Sequence, residues 1–308
     1  MAEFRHMLAY HLGWEGEGAG EEARGKRIRP LLVLLSSAAA GGDWRQALPA
    51  AVSVELVHNF SLIHDDIEDN SPLRRGRLTV WKQWGIPQAI NSGDAMLTLA
   101  HLALLRLSET SSAEVALQAI QILQSACLRL TQGQFLDLFY EERGDLNLDA
   151  YWPMVNGKTA ALLAACTELG ALTANTSPAK RRLFRQFGND LGLAFQALDD
   201  ILGIWGDAAL TGKSAESDLL AGKKSLPVLF GLGCNGPFAR RWQQGPIRPE
   251  ETGTLAAQLE EEGARAYSQE TANRLTDQAL QALSEANPQG EAGRALIALA
   301  QQLMNRHG

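Results

Sequence analysis

The sequence is short of most features that mark a secreted, membrane-spanning or nucleic-acid-binding protein. Its 308 residues include three cysteines, Cys127, Cys166 and Cys234, far apart and without a CxxC pair. That spacing argues against a disulfide framework or a cysteine zinc site and suits a reducing compartment. Positive charge is not in excess: 28 Lys and Arg stand against 35 Asp and Glu, a net charge of −7. Nucleic acid therefore has no electrostatic case as the main partner. Long apolar runs are also missing. The most apolar stretch, residues 31–40, holds two serines and is too short to cross a bilayer, so stable membrane insertion is not expected. The opening MAEFRHMLAY lacks a basic segment followed by a long apolar core and does not read as a signal peptide. A cytoplasmic location is the expectation. There is no low-complexity tract, no fixed-period repeat and no obvious linker, so residues 1–308 are read as one large domain.

Strand signals are scarce as well. Alternating β-branched runs are few, and no Asn-Gly turn lies between them. Helical spacing dominates: Leu56, Val57, Phe60, Ile63 and Ile67 give one apolar side to a helix running to about residue 68. Similar segments cover roughly 88–108, 112–139, 148–173, 178–206, 215–231, 254–284 and 290–306. Many are rich in Ala and Leu on several faces, as the central members of a large helical bundle must be. An all-α fold is expected, with residues 13–20, rich in glycine, forming a loop.

Two acidic pairs interrupt these apolar helices. Asp65, Asp66, Glu68 and Asp69 close the first, and Asp65 and Asp69 lie one turn apart on one side of it. Stacked carboxylates repel one another, and hard divalent cations relieve the repulsion; Mg²⁺ binds through one or two carboxylates, substrate phosphates and water. Arg74-Arg75-Gly76 follows, a guanidinium pair suited to bidentate phosphate contacts. The second pair, Asp199-Asp200, is embedded in AFQALDDILGIW, where burial is costly unless a partner compensates it. Phe60-Ser-Leu-Ile-His-Asp-Asp-Ile and Phe195-Gln-Ala-Leu-Asp-Asp-Ile echo one another as two similar sites. Lys158-Thr159 early in one helix, Lys213, and Lys223-Lys224 supply cations nearby in sequence. Any one of these lysines alone is an ordinary surface residue; together with two helical carboxylate clusters they point to diphosphate.

These motifs resemble those of the trans-type isoprenyl diphosphate synthases, over about residues 25–225. The resemblance implies a large helical bundle with a central active-site cavity, and a prenyltransferase that joins isopentenyl diphosphate to an allylic diphosphate. Gly25-Lys26-Arg27-Ile28-Arg29-Pro30 is similar to the family's GKRxRP segment, which implies that Lys26 and Arg29, with His58 and Arg75, hold isopentenyl diphosphate. Asp65, Asp66 and Asp69 match the first DDxxD motif, and Asp137, in Gly133-Gln134-Phe135-Leu136-Asp137, the GQxxD segment. With Asp199 and Asp200 these are the implied ligands of three Mg²⁺ ions. Arg74, Lys213 and Lys223 match residues that bind diphosphate, while Lys158, Thr159 and Gln196 match residues near the reacting carbons. The sequence departs from the family at Gly203, where the second motif has its last Asp, so no metal ligand is expected there. Bulky Phe60 and small Ser61 before the first motif resemble the pattern of geranylgeranyl diphosphate synthases; farnesyl and longer products stay open. A homodimer is the family's habit. A terpene cyclase or head-to-head synthase would have no evident use for a separate isopentenyl diphosphate site, and a non-catalytic subunit should have lost acidic positions.

Overall fold

The computed structural model describes residues 1–141, 143–206 and 217–304. They are almost wholly helical, and the helices sort into two compact units, Met1–Leu123 with Glu168–Thr176 and Gln124–Thr167 with Ser177–Gly308.

The first unit holds α1 (Ala2–His11), α2 (Glu21–Arg24), α3 (Ile28–Ala39), α4 (Leu48–Glu68), α5 (Val80–Trp84), α6 (Ile86–Leu105), α7 (Leu107–Thr110) and the start of α8 (Ala113–Glu141). Its core is the packing of α4 on α6. Val54, Val57 and Ile63 of the first helix and Met96, Ala100 and Leu104 of the second are all at most 1% exposed. Burying each of these side chains larger than alanine contributes on the order of 1.5–3 kcal/mol. Ser53 is buried in the same seam and donates to the Ala100 carbonyl at 2.7 Å, so its hydroxyl costs little there.

Between α4 and α5 lies a hairpin that the sequence reading missed: β1 (Leu73–Arg74) pairs antiparallel with β2 (Arg77–Leu78). Its two-residue turn, Arg75-Gly76, has positive φ at both positions, 53° and 73°. That is the turn that suits hairpin twist, made here with Arg where Asn would have given a signal. Arg77 of the hairpin also holds the glycine-rich loop expected at residues 13–20. Its guanidinium lies 3.8 Å from the Tyr10 ring centroid and donates to the carbonyls of Tyr10, Glu15 and Glu17.

The second unit continues α8 and adds α9 (Leu148–Val155), α10 (Ala161–Thr173, of which the residues to Thr167 belong here) and α11 (Pro178–Trp205). It then adds α12 (Ser217–Leu220), α13 (Leu226–Cys234), α14 (Pro237–Trp242), α15 (Thr252–Glu261), α16 (Ala264–Glu285) and α17 (Gly290–Met304). Helix α11 is its axis, packed along α16, with Phe184 and Phe187 completely buried. Ser177 starts α11 as its N-cap, accepting from the Lys180 N–H, with Pro178 as the first helical residue. The expected helices 215–231 and 254–284 are each divided. The first is broken over residues 221–225, and the second at Glu262-Gly263, where Gly263 has φ 87°. Apolar spacing continues across such a break because both pieces pack on the same neighbours, so periodicity alone does not reveal it. Among the described residues, no helix is long and apolar enough to cross a membrane.

Candidate active site in two charged clusters

In the first unit the acidic cluster stands at the C-terminal end of α4, where the helix dipole is already negative. Asp65 is half-buried, Asp69 exposed and Asp66 buried. The hairpin turns Arg74 back onto this end. Its Nε donates to Asp66 Oδ1 at 2.7 Å and its Nη2 to Asp65 Oδ2 at 3.4 Å. Even so, burial lifts the Asp66 pKa to about 6, and Asp66 Oδ2 is a buried oxygen with no hydrogen-bond partner.

The neighbouring residue of the hairpin points into the opposite kind of pocket. Arg75 Nη1 donates to the Ala23 carbonyl at 2.9 Å, and its guanidinium lies where a Cβ on Gly25 would stand. It thereby joins Lys26, Arg27 and Arg29 at the N-terminus of α3, cations at the end of a helix where the dipole is positive. Arg29 Nη1 donates to His58 Nε2 at 3.1 Å. Burial, then Arg29, Arg75 and Arg74, hold the His58 pKa well below its ordinary value, so the imidazole is neutral and accepts. Burial and Arg74 likewise draw the Arg75 pKa down. Positive charge is crowded here as negative charge is crowded on α4. The first cluster needs a cation and the second group an anion.

Phe60 is buried on α4 with its ring edge-on to His64, centroids 5.0 Å apart, and His64 lies against Gly93 of α6. Ser61, half-buried, donates to the His58 carbonyl at 2.8 Å.

In the second unit the chemistry gathers around a π-helical turn, Asn156–Ala160, that joins α9 to α10. Turns of this kind recur at functional sites because they displace side chains from the regular helical face. Gly157 of this turn meets Gly133 of α8 backbone to backbone. A Cβ on Gly133 would fall on the Lys158 amide, and one on Gly157 on the Arg129 carbonyl. The close crossing sets Asp137, one turn beyond Gly133, beside Lys158, whose Nζ donates to Asp137 Oδ2. The next residue, Thr159, donates from its hydroxyl to Gln196 Oε1 on α11 at 2.8 Å.

The Asp199-Asp200 pair is split by burial: Asp199 is exposed and Asp200 is 5% exposed. Asp200 was expected among the metal ligands, and the structure engages both of its oxygens elsewhere. Oδ1 accepts from Gln196 Nε2 at 2.9 Å, and Oδ2 from Tyr151 Oη at 2.8 Å and the Leu226 N–H at 2.9 Å. Burial raises its pKa to about 7 against the downward pull of those three donors. Position 203 is no empty place in the motif. The Asp218 carboxylate, 8% exposed on α12, occupies the volume that a Cβ on Gly203 would take, one turn along α11 from Asp199. Neither Tyr151 nor Asp218 carried a local signal in the sequence, since each acts on a residue 15 or more positions away. Lys223 is exposed, and its N–H donates to the Asp218 carbonyl at 3.0 Å; Lys213 lies outside the described residues.

Among the described residues no three His, Cys, Asp or Glu side chains converge into a metal cage of their own. The donor set nonetheless fits Mg²⁺, which takes one or two carboxylates and completes its shell with phosphate and water. Asp65, Asp69 and Asp199 present accessible hard oxygens, and Asp66 Oδ2 is a buried oxygen without a hydrogen-bond partner beside them.

A family model described as polyprenyl synthetase matches residues 20–245. The (2E,6E)-farnesyl diphosphate synthase of Mycobacterium tuberculosis is 44% identical over 259 residues, 83% of this chain and 70% of that protein. The geranylgeranyl diphosphate synthase of the same organism is 40% identical over 305 residues, 97% of this chain and 86% of that one. Among solved structures, polyprenyl synthetase from Streptomyces coelicolor matches with a TM-score of 0.89 at 36% identity, covering 98% of this chain and 92% of that chain. Geranylgeranyl pyrophosphate synthase from Corynebacterium glutamicum, complexed with isoprenyl diphosphate and magnesium, matches with a TM-score of 0.86 at 28% identity, covering 99% and 91%.

Proposed function

We propose how this chain works from one premise: it belongs to the polyprenyl synthetase family, has the all-α isoprenoid synthase fold, and is a trans-prenyltransferase that elongates prenyl diphosphates. In this reading it condenses isopentenyl diphosphate with an allylic diphosphate, and the main product is geranylgeranyl diphosphate. The observation that carries the assignment of substrates is the pair of helix ends in the first unit. Carboxylates at the negative end of α4 call for metal-bound diphosphate, while Lys26, Arg29 and Arg75 at the positive end of α3 suit a diphosphate bound without metal. Two diphosphates with different needs are what this reaction brings together.

Bound Mg²⁺, three ions in the proposed count, would neutralise the charge that builds on departing pyrophosphate. Asp65, Asp66, Asp69, Asp137 and Asp199 are the residues assigned to hold it. Arg74, already beside Asp65 and Asp66, binds the allylic diphosphate from the protein side, with Lys158, Lys213 and Lys223 sharing that role. Lys26, Arg29, Arg75 and neutral His58 hold and orient isopentenyl diphosphate. Thr159 and the Gln196 carbonyl oxygen offer polar oxygens to the allylic cation. Holding both substrates in one geometry supplies much of the rate advantage.

Phe60 and Ser61 are assigned to the wall that limits product length. Residues 1–308 act as a single functional domain, in the cytoplasm, as a homodimer. Exposed Ile90, Leu102 and Leu105 on α6 and Leu117, Leu128 and Phe135 on α8 support the dimer as apolar surface for a second copy to cover.

The deciding experiment incubates the protein with isopentenyl diphosphate and dimethylallyl, geranyl or farnesyl diphosphate in Mg²⁺, with products identified by mass. Growth of farnesyl diphosphate to a C20 product is expected. Accumulation that stops at C15 would overturn the product assignment, and the absence of any chain growth would overturn the substrate assignment.

A further inference from the structure

We propose that Asp200 is a positioning residue: with Tyr151 and the Leu226 N–H it locks the Gln196 amide so that its carbonyl oxygen is directed to Thr159. This role for Asp200 rests on the proposed place of Gln196 and Thr159 at the reacting end of the site. The two ends of a side-chain amide are chemically opposite and sterically alike. A free glutamine side chain gains little from either orientation. Here the choice is made by Asp200, which offers only acceptor oxygens when ionised and is approached by three donors, Gln196 Nε2, Tyr151 Oη and the Leu226 N–H.

With Nε2 committed to Asp200 at 2.9 Å, Oε1 faces the Thr159 hydroxyl at 2.8 Å. A turned amide would set two acceptors against each other at Asp200 and present N–H groups, the wrong polarity, where a carbocation is to be eased. Tyr151 is completely buried and Asp200 nearly so, which leaves them no water to substitute for a lost partner. The Leu226 N–H belongs to the first turn of α13, so the negative charge of Asp200 is placed at the positive end of that helix. Asp200 is thus tied to two elements besides its own, α9 through Tyr151 and α13 through Leu226. Asp199 is exposed, whereas both oxygens of Asp200 are already taken up by the three donors.

The test separates orientation from metal binding. In Asp200→Asn the new amide must set an N–H against one of the three donors. The arrangement that resolves the conflict turns Gln196 over and sends its N–H groups to Thr159. The expected result is a fall in kcat of about 10- to 100-fold with both KM values little changed. Binding of inorganic pyrophosphate in the presence of Mg²⁺, read by calorimetry without turnover, should stay within about threefold of the parent. The pair Asp200→Asn with Gln196→Glu restores an acceptor toward Thr159 and a donor–acceptor match at position 200, and should recover most of the lost kcat. Tyr151→Phe, a milder change for the case that Asp200→Asn fails to fold, should lower kcat about three- to tenfold, again without affecting pyrophosphate binding.

Weakening of Mg²⁺-dependent pyrophosphate binding by tenfold or more in Asp200→Asn would make Asp200 a ligand and overturn the proposal. So would wild-type kcat in a folded Tyr151→Phe protein, or no recovery in the double variant. Failure of the underlying reading looks different. Thr159→Val and Gln196→Leu would then leave kcat unchanged, whatever Asp200 does.

Discussion

The two aspartate pairs begin as near copies, each on the last turns of a long helix after a phenylalanine, and each splits into one accessible and one buried carboxylate. Asp65 is half-buried and Asp199 exposed; Asp66 and Asp200 are 1% and 5% exposed. The buried members then diverge. Asp66 is met by a cation, Arg74, and keeps one oxygen without a partner. Asp200 is met by three uncharged donors and has both oxygens in use. A carboxylate with a spare oxygen can still take a metal, and one that is fully hydrogen-bonded is better suited to holding its neighbours still. The dipeptide is therefore no unit of function. Its residues divide the work according to what the fold packs against them.

The sharpest way to break this comparison is to remove charge from the accessible members. Asp65→Asn and Asp199→Asn should each lower kcat by about 10²–10³-fold, with the loss greatest at limiting Mg²⁺. Near-normal turnover of either variant, measured across a Mg²⁺ titration, would end the two-cluster account. Next in size is Gly203→Asp, which restores the family's motif in writing but drives a side chain into the Asp218 carboxylate. Overpacking with like charge should cost roughly 1–3 kcal/mol in urea unfolding. Gly203→Ala should lose nearly as much, because the obstacle begins at Cβ. An unaltered unfolding midpoint in both would mean that Asp218 is not held there.

The clusters also differ in their surplus charge, and acid should reveal it. Burial first, and then Arg74, Arg75 and Arg77, depress the pKa of buried His11 to about 3. In the unfolded chain it is about 6.5. The stability tied to neutral His11 is complete above pH 6.5. It is lost as pH falls towards 3, because the unfolded chain takes up a proton that the folded one refuses. Between pH 7 and pH 5 this amounts to about 2 kcal/mol, and His11→Gln should flatten the pH dependence of urea unfolding by that much. An equal slope in both proteins would show that His11 is not held neutral. The smallest expected effect is the division of substrates within the first unit. Lys26→Ala should raise the KM for isopentenyl diphosphate about tenfold and Arg74→Ala chiefly the KM for the allylic substrate. Equal changes for both substrates in both variants would erase the distinction between the ends of α3 and α4.

Much of this is legible in the amino-acid sequence. The all-α class followed from apolar spacing, and helices at Pro178–Trp205 and Ala113–Glu141 were expected within two residues of where they lie. The acidic pairs and the basic segments could be read because each is a run of neighbours in the chain. The hairpin at 73–78 was not, since two-residue strands are too short to show a period and Arg75-Gly76 is an uncommon pair for such a turn.

What the chain determines by itself are properties of adjacent residues: periodicity, caps, charge and the types of group in a motif. Tertiary structure decided which aspartate of each pair turns inward, that Asp218 occupies the place of a residue at 203, and that Gly133 and Gly157 bring Asp137 to Lys158. These depend on groups 8 to 49 residues apart meeting within a few ångströms. Burial and hydrogen-bond completion act on that meeting, and no local spacing encodes it.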